Sequence, residues 1–215
     1  MRIFLDTGDV EAVRRAYDTG LIDGVTTNPS HIAKTQSKFK DVVEEICSIV
    51  PGPVSVEAVA DTTDKLLEEA VRIASIAPNV VIKIPMTVEG LKAVPVLEKD
   101  KNVKTNVTMI FSSTQSFLAM KAGASFVSIV LSRLDAVANE SYILVEDAVT
   151  IKNNYGFDSN IIAGSMKTQN HVLACLRAGV DIVTVNDQLF FQMFKHPLTD
   201  LGLAAFAKDW AKVPK

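Results

Sequence analysis

The segment VVIKIP, residues 80–85, carries a single charge, that of Lys83, inside an otherwise apolar run. This composition predicts a strand buried on both faces, as in a parallel sheet covered by helices. A lysine is seldom buried without a partner, and desolvation favours its neutral amine, which can attack a ketone and form a Schiff base. By itself, the residue is better explained as a lysine that reaches water or a carboxylate at the strand end. The polar residues elsewhere in the chain therefore decide between a structural and a catalytic lysine.

Short apolar runs like this one recur along the whole chain and alternate with amphipathic stretches of helical period. Each gap leaves room for a helix and a right-handed return, so the pattern indicates repeated βα units. The runs are residues 3–5, 24–26, 54–56, 80–84, 105–107, 126–129, 161–163 and 182–185. Eight units predict a (β/α)8 TIM barrel formed by residues 1–215 as one domain, with an additional C-terminal helix. An open doubly wound sheet is the alternative, which the lack of GxGxxG and GxxxxGK[ST] loops disfavours.

Several helix features are specific enough to be checked. Apolar residues within 39–50 recur at i, i+3, i+4 and i+7, which predicts a helix with one buried face. Pro95 lies inside a helix predicted over residues 88–98 and should kink it or divide it into two short pieces. Gly20 and Gly179 are expected to end the helices that precede them.

The composition excludes several functional classes. The chain has 215 residues, 48% of them hydrophobic, and a net charge of −3 with both signs interspersed, so neither nucleic acid nor a membrane is an expected partner. The N-terminus enters a strand without a signal peptide's apolar stretch, which favours a cytoplasmic location. Cys47 and Cys175 are expected in the core. His31, His171 and His196 lie on three separate segments, which predicts no metal site, and His31 is expected to be a loop residue without function.

Polar residues follow nearly every apolar run, where a TIM barrel builds its chemistry at the carboxyl ends of the strands. In strand order they are Asp6; Thr27 and Asn28; Glu57; Lys83; Asn106 and Thr108; Ser128 and Arg133; Ser165 and Lys167; and Asn186. Each alone has a structural explanation, such as a helix cap, a turn or an ion pair. Together they bring two carboxylates, an amine, amides and hydroxyls to one rim, with donors suited to a phosphate.

These residue types predict Schiff-base chemistry. Lys83 as a neutral amine adds to a ketone, and the iminium formed by dehydration is an electron sink, so the bond between the third and fourth carbons can break. Departure of the aldehyde needs a base at the hydroxyl of the fourth carbon, and either Asp6 or Glu57 can serve, directly or through a water held by Thr108. No metal or organic cofactor is required for these steps.

Seven motifs in order along the chain resemble the short transaldolase family, which includes fructose-6-phosphate aldolases. They are FLDT (4–7), GVTTNPS (24–30), VSVE (54–57), VIKIPMT (81–87), TNVT (105–108), SRLD (132–135) and AGSMK (163–167). The resemblance covers essentially the full length and implies a (β/α)8 barrel with a Schiff-base lysine, Lys83, on the fourth strand. It implies transfer of a dihydroxyacetone unit from sedoheptulose 7-phosphate or fructose 6-phosphate to glyceraldehyde 3-phosphate or erythrose 4-phosphate, in the non-oxidative pentose phosphate pathway.

The resemblance also implies a role for each rim residue. Asp6 handles the substrate hydroxyl proton, and Glu57 with Thr108 holds a catalytic water. The remaining predicted contacts hold the substrate. Asn28 and Asn106 orient the dihydroxyacetone unit, and Arg133, Ser165 and Lys167 lie at the phosphate. Thr27 and Ser128 are also expected to contact the substrate. Lys167 occupies a position that is often arginine in the family, and Ser132 needs no special role.

Two positions bear on which reaction of the family is expected. Glu57 favours the transaldolase, because the aldolase members tend to carry glutamine there. Val130 replaces an aromatic residue, phenylalanine in transaldolases and tyrosine in aldolases, and Ile129 replaces a common proline. Valine has no hydroxyl to activate water, which argues against the aldolase, but the lost ring opens space beside the Schiff base. An aldolase that releases dihydroxyacetone, and a sugar-phosphate-binding barrel without catalysis, remain as alternatives.

The last segment, residues 188–210, is amphipathic and rich in aromatic residues. It is expected to form the eighth barrel helix and a terminal helix that closes the barrel. In short family members the terminal helix also packs on a neighbouring subunit, and rings of five that pair into decamers are common. A homo-oligomer is therefore the expected assembly.

Overall fold

A computed structural model of the chain describes residues 1–34 and 37–214. Its strands are β1 (Arg2–Asp6), β2 (Gly24–Thr26), β3 (Val54–Glu57), β4 (Val80–Pro85), β5 (Thr105–Ile110), β6 (Phe126–Val130), β7 (Asn160–Gly164) and β8 (Ile182–Val185). Its helices are α1 (Val10–Tyr17), α2 (Pro29–Lys34), α3 (Phe39–Ile49), α4 (Thr63–Ala74), α5 (Val88–Pro95), α6 (Ser113–Lys121), α7 (Leu131–Asp135), α8 (Ser141–Tyr155), α9 (Gln169–Ala178), α10 (Asp187–Gln192) and α11 (Pro197–Trp210).

The strands pair in sequence order, all parallel, and β8 pairs with β1 to close a barrel. Each of the eight apolar runs found in the sequence forms one of these strands, which confirms the predicted (β/α)8 TIM barrel. The open doubly wound sheet is wrong, because the described strands leave no free edge.

The strands separate two apolar cores, as expected for side chains that alternate across a sheet. Outward-facing residues such as Leu5, Ile82 and Ile129 pack against the helices in the larger core. A smaller cluster fills the barrel interior and consists of Phe4, Val81, Phe126, Ile162 and Ile182. Residues two positions further along the same strands face the interior above this cluster, at the carboxyl end of the barrel. This level holds the polar side chains that the sequence places at the strand ends.

The helices follow the predicted patterns, with one exception at the C-terminus. Helix α3 buries Val42, Val43 and Ile46 on one face. Gly179 ends α9 in the left-handed conformation (φ 79°), where its N–H donates to two carbonyls of the last turn. The two thiols lie in the core, where burial raises the pKa of Cys47 to about 11 and that of Cys175 to about 12.

Pro95 divides the predicted helix, as expected. Helix α5 ends at Pro95, and the chain continues in a π-helical turn over Val96–Asp100. This turn brings Glu98 to the amino-terminal side of the barrel. Its carboxylate accepts hydrogen bonds from the backbone N–H and the hydroxyl of Thr105, and from the same two groups of Ser125, at 2.6 to 2.9 Å.

The expectation that the terminal helix closes the barrel is wrong. Helix α10 packs on the barrel through Leu189 and Phe190, but no residue of α11 is buried. The large apolar residues of α11 are between 61% and 76% exposed; they are Leu198, Leu201, Leu203, Phe206 and Trp210. Of the helices that the structure describes, none has the length and apolar composition of a membrane span.

We predict that Glu98→Ala lowers the free energy of unfolding by about 3 kcal/mol, because it leaves donors of the buried Thr105 and the half-buried Ser125 without an acceptor. Chemical denaturation followed by circular dichroism measures the change. Glu68→Ala on the exposed face of α4 is the control, with an expected change within about 0.5 kcal/mol. Equal stability of the two variants would contradict a structural role of Glu98.

Candidate active site

A cavity of about 430 Å³ opens at the carboxyl end of the barrel. Its wall combines carboxylates, an amine, hydroxyls and a guanidinium with a few apolar groups. The lining residues are Asp6, Thr26, Asn28, Pro29, Ser30, His31, Glu57, Lys83, Thr108, Met109, Ser128, Ile129, Val130, Arg133, Gly164, Ser165 and Thr184. The cavity thus lies where TIM barrels build their active sites.

Lys83 projects into the barrel interior from the middle of β4 and is 9% exposed. Its Nζ donates to Glu57 Oε2 at 2.9 Å and to the backbone carbonyl of Thr27 at 3.0 Å. Glu57 is the register partner of Lys83 on β3, so the parallel pairing itself sets the two side chains side by side. The structural alternative, an ion pair with a carboxylate, is therefore present, but it lies on the wall of the cavity. A lysine paired in this way has a proton acceptor within contact distance.

Asp6 ends β1 and accepts a hydrogen bond from a hydroxyl of β2, which in turn contacts a hydroxyl of β8. Thr26 Oγ1 donates to Asp6 Oδ1 at 2.8 Å, and Thr184 Oγ1 lies 2.7 Å from Thr26 Oγ1. His31 Nδ1 lies 3.8 Å from Asp6 Oδ1. The sequence predicts His31 in a loop, but the residue lies in α2. Its ring contacts the amide of Asn28 at 3.2 Å.

An irregularity in β5 directs Thr108 and Met109 toward the cavity. The register between β5 and β6 shifts by one residue between Val107 and Ile110. Met109 within this bulge has a left-handed backbone (φ 63°), which is costly for a residue with a side chain. Thr108 and Met109 both line the cavity as a result, although neighbouring residues of a regular strand face opposite sides.

A buried network supports the floor of the cavity. Ser128 Oγ donates to Asn106 Oδ1 at 2.7 Å, and Asn106 Nδ2 donates to Ser55 Oγ at 3.1 Å. Asn106 is fully buried, whereas Ser128 lines the cavity. Asn106 therefore contacts the cavity through Ser128.

Arg133 and Ser165 lie together at the mouth of the cavity. Arg133 is exposed on α7, and its Nη1 lies 3.8 Å from the sulfur of Met109. Ser165 has a left-handed backbone (φ 58°) and exchanges a 2.6 Å hydrogen bond with the hydroxyl of Ser132. A guanidinium and two hydroxyls are donors suited to a phosphate. Ser132, which the sequence left without a role, thus orients Ser165.

The cavity brings together eight of the predicted site residues: Asp6, Asn28, Glu57, Lys83, Thr108, Ser128, Arg133 and Ser165. Three others lie outside its wall. Thr27 is buried and donates its hydroxyl to the Ser55 carbonyl, and Asn106 lies beneath the floor. Lys167 is exposed and lines an adjoining acidic groove of about 840 Å³, which shares Asp6 and His31 with the cavity.

Sequence reasoning missed two threonines and a methionine of the wall. Thr184 lies two positions after Ile182, which faces the barrel interior, so the period of two alone would have placed it at the cavity level. Thr26 was found within a motif but not assigned a role. The position of Met109 depends on the bulge, which leaves no signal in the sequence.

The arrangement suits carbonyl chemistry at an amine. A nucleophile with a neighbouring proton acceptor, a second carboxylate and hydroxyl donors share one partly enclosed space. Within the described residues, no group of three or more histidine, cysteine, aspartate or glutamate side chains has the geometry of a metal site.

Comparisons with known proteins identify the family. The model of the transaldolase/fructose-6-phosphate aldolase family matches residues 3–215. Curated relatives include probable transaldolases of Geotalea uraniireducens, 49% identical with all of both chains covered, and of Moorella thermoacetica, 50% identical over 99% of both chains. Among solved structures, inosine 5′-monophosphate dehydrogenase of Legionella pneumophila matches with a TM-score of 0.62 and 11% identity, covering 88% of this chain and 58% of the other. This likeness concerns the barrel fold alone. The chain belongs to the transaldolase/fructose-6-phosphate aldolase family.

Proposed function

We propose that the protein is a transaldolase, which moves a dihydroxyacetone unit between sugar phosphates through a Schiff base on Lys83. The observation that carries this proposal is that Lys83, Glu57 and Asp6 line one cavity and that Lys83 already contacts Glu57 at 2.9 Å. The names of the relatives, probable transaldolase, support the same activity. The donor is sedoheptulose 7-phosphate or fructose 6-phosphate, and the acceptor is glyceraldehyde 3-phosphate or erythrose 4-phosphate.

Formation of the Schiff base begins with the loss of a proton from Lys83. Glu57 Oε2 accepts this proton, and the nitrogen lone pair then attacks the ketone carbon of the donor. Loss of water yields an iminium. These protons move through a water molecule that Glu57 and Thr108 hold in this proposal, because both residues line the same cavity as the lysine.

Asp6 then takes the proton from the hydroxyl of the fourth carbon. The oxygen forms a carbonyl as the bond between the third and fourth carbons breaks. The electron pair of this bond forms a double bond between the second and third carbons, and the π pair of the iminium moves to its nitrogen, which gives an enamine. The aldehyde leaves, and the acceptor aldehyde enters. The reverse sequence joins the three-carbon unit to the acceptor and releases Lys83. The separate contacts of the two carboxylates support this division, since Glu57 contacts the amine and Asp6 contacts Thr26.

The remaining site residues hold the substrates in this proposal. Asn28 and Ser128 contact the dihydroxyacetone unit, and Asn106 acts through its hydrogen bond to Ser128. Thr27 contributes the carbonyl that accepts from Lys83. The phosphate contacts are Arg133 and Ser165 at the cavity mouth and Lys167 from the adjoining groove. Two buried free thiols are compatible with action in the reducing cytoplasm.

An aldolase that releases dihydroxyacetone is the second candidate. The presence of Val130 on the cavity wall is the observation that favours it. Val130 lines the cavity where a ring would otherwise reduce its space. Release of dihydroxyacetone requires water to enter and protonate the enamine. Because valine offers no hydroxyl to activate that water, the transaldolase remains the better supported activity.

We also propose that the protein is a homo-oligomer, a pentameric ring or a decamer built from rings. Helix α11 presents Leu203, Phe206 and Trp210 on one face without burying them on its own barrel. Exposed apolar residues also lie on α6, α8 and α9: Phe117, Leu118, Tyr142, Ile143, Leu173 and Leu176. In a head-to-tail ring, α11 of one subunit would pack on the apolar surface of α6, α8 and α9 of the next subunit. One chain carries both of these surfaces, as such a contact requires.

We predict that borohydride, added with fructose 6-phosphate, attaches a three-carbon adduct to Lys83. Peptide mass spectrometry locates the adduct. Lys83→Ala should fold normally, form no adduct and lose turnover, whereas Lys121→Ala on the exposed part of α6 should keep both. Turnover by the native protein without an adduct on Lys83 would exclude the Schiff-base mechanism.

The two candidate reactions differ in their products. With fructose 6-phosphate alone, the protein should release little dihydroxyacetone, and sedoheptulose 7-phosphate should form when erythrose 4-phosphate is added. Val130→Tyr, which supplies a hydroxyl, should raise dihydroxyacetone release severalfold, whereas Val130→Phe should not. Rapid release by the native protein without an acceptor would establish the aldolase instead.

The proposed assembly predicts that Phe206→Glu combined with Trp210→Glu produces a smaller particle in light scattering. Lys208→Glu is the control, because it changes the net charge by the same amount on the opposite face of α11. A native protein that is already monomeric at micromolar concentration would contradict the proposal.

A further inference from the structure

Three residues on adjacent strands form a chain of hydrogen bonds that ends at the proposed base. Closure of the barrel places β1 between β2 and β8. Asp6 ends β1, Thr26 ends β2, and Thr184 lies on β8. The distances are 2.8 Å between Thr26 Oγ1 and Asp6 Oδ1 and 2.7 Å between the two threonine hydroxyl oxygens. Both threonines are at most 5% exposed and lie on the wall of the cavity.

The direction of the two hydrogen bonds follows from counting hydrogens. An ionised carboxylate only accepts, so Thr26 gives its single hydroxyl hydrogen to Asp6. The hydrogen between the two threonines must then come from Thr184. The order is therefore Thr184 to Thr26 to Asp6, and each bond polarises the next, because a hydroxyl that accepts a hydrogen bond donates more strongly.

Gly164 leaves space for the methyl group of Thr184. A Cβ atom at Gly164 would lie 3.0 Å from Thr184 Cγ2, closer than ordinary van der Waals contact. Gly164 is not among the glycines with a left-handed backbone, so the need for space rather than for an unusual φ explains the residue. Thr184 places its methyl group in that space. The hydrogen bond to Thr26, rather than this methyl contact, sets the direction of the hydroxyl.

We propose that Thr184 is a positioning residue for the reaction: it holds Thr26 in the orientation that donates to Asp6, and so holds Asp6 for the proton transfer during cleavage of the carbon–carbon bond. This role rests on the proposed function of Asp6. It extends the site to β8, a strand to which the sequence motifs assign no role in the chemistry.

Two substitutions separate the hydroxyl of Thr184 from its methyl. Thr184→Val keeps the shape and removes the hydroxyl, whereas Thr184→Ser keeps the hydroxyl and removes the methyl. We expect kcat to fall about 3- to 10-fold in Thr184→Val and to stay within about twofold of the native value in Thr184→Ser. KM should change little in both variants. Borohydride trapping on Lys83 should remain as fast as in the native protein, because the proposed step follows Schiff-base formation.

A double-mutant cycle tests whether Thr184 acts through Thr26. Thr26→Val breaks the chain at its middle, so adding Thr184→Val to it should lower kcat no further. Independent roles would instead multiply the two losses. If Thr184→Val does not fold, Thr184→Ala is compared with Thr184→Ser, since these two variants differ only in the hydroxyl.

Three results would overturn the positioning role: native kcat in Thr184→Val, an equal loss in Thr184→Ser, or an effect on KM alone, which would indicate direct contact with substrate. Losses that multiply in the double variant would overturn it as well. Failure of the proposed function is distinguishable, because it appears in the native protein as absent turnover or as an absent adduct on Lys83.

Discussion

Register in a closed parallel barrel is the constraint on which the site depends. Once the strands pair around the ring, alternate side chains must enter the interior, and neighbours in register meet there at fixed distances. The two central contacts of the cavity are of this kind. Lys83 and Glu57 are register partners on β4 and β3, and Thr26 and Asp6 are register partners on β2 and β1. A slip of one residue in any of these strands would send its polar group into the apolar layer beneath the helices.

The burial of Lys83 shows how the barrel accommodates a charge. An isolated ammonium in an apolar environment costs several kcal/mol, and this cost is offset when the charge is paired and hydrogen-bonded. Glu57 supplies the charge, and the Thr27 carbonyl supplies a neutral acceptor. In the proposed mechanism, the carboxylate that makes the buried lysine tolerable also accepts its proton. A structural ion pair and the proposed chemistry therefore require the same two residues, so the charge of Lys83 alone could not distinguish between them.

The mouth of the cavity is built from strained backbone rather than from regular strands. Met109 and Ser165 both adopt left-handed conformations, at an energetic cost of order 1 kcal/mol each. Met109 lies in the bulge of β5 and contacts Arg133, and Ser165 follows the end of β7 and bonds to Ser132. The floor consists of hydrogen-bonded residues of regular strands, whereas the rim departs from strand geometry at the groups proposed for the phosphate.

The sequence by itself determined the barrel, the position of Lys83 on the fourth strand and the rim that holds Asp6 and Glu57, because short apolar runs and the polar residues that end them are local signals. Only the tertiary structure decided which groups touch. Closure of the barrel joined Thr184 of the last strand to Asp6 of the first through Thr26, and the burial of Asn106 removed it from the cavity wall. Local patterns also could not predict that the terminal helix is left unburied. Amphipathicity indicates that one face of a helix will be covered, but it does not indicate which surface covers that face. These features depend on which residues distant in the chain come into contact. Such contacts form only when the barrel closes, so no local stretch of sequence encodes them.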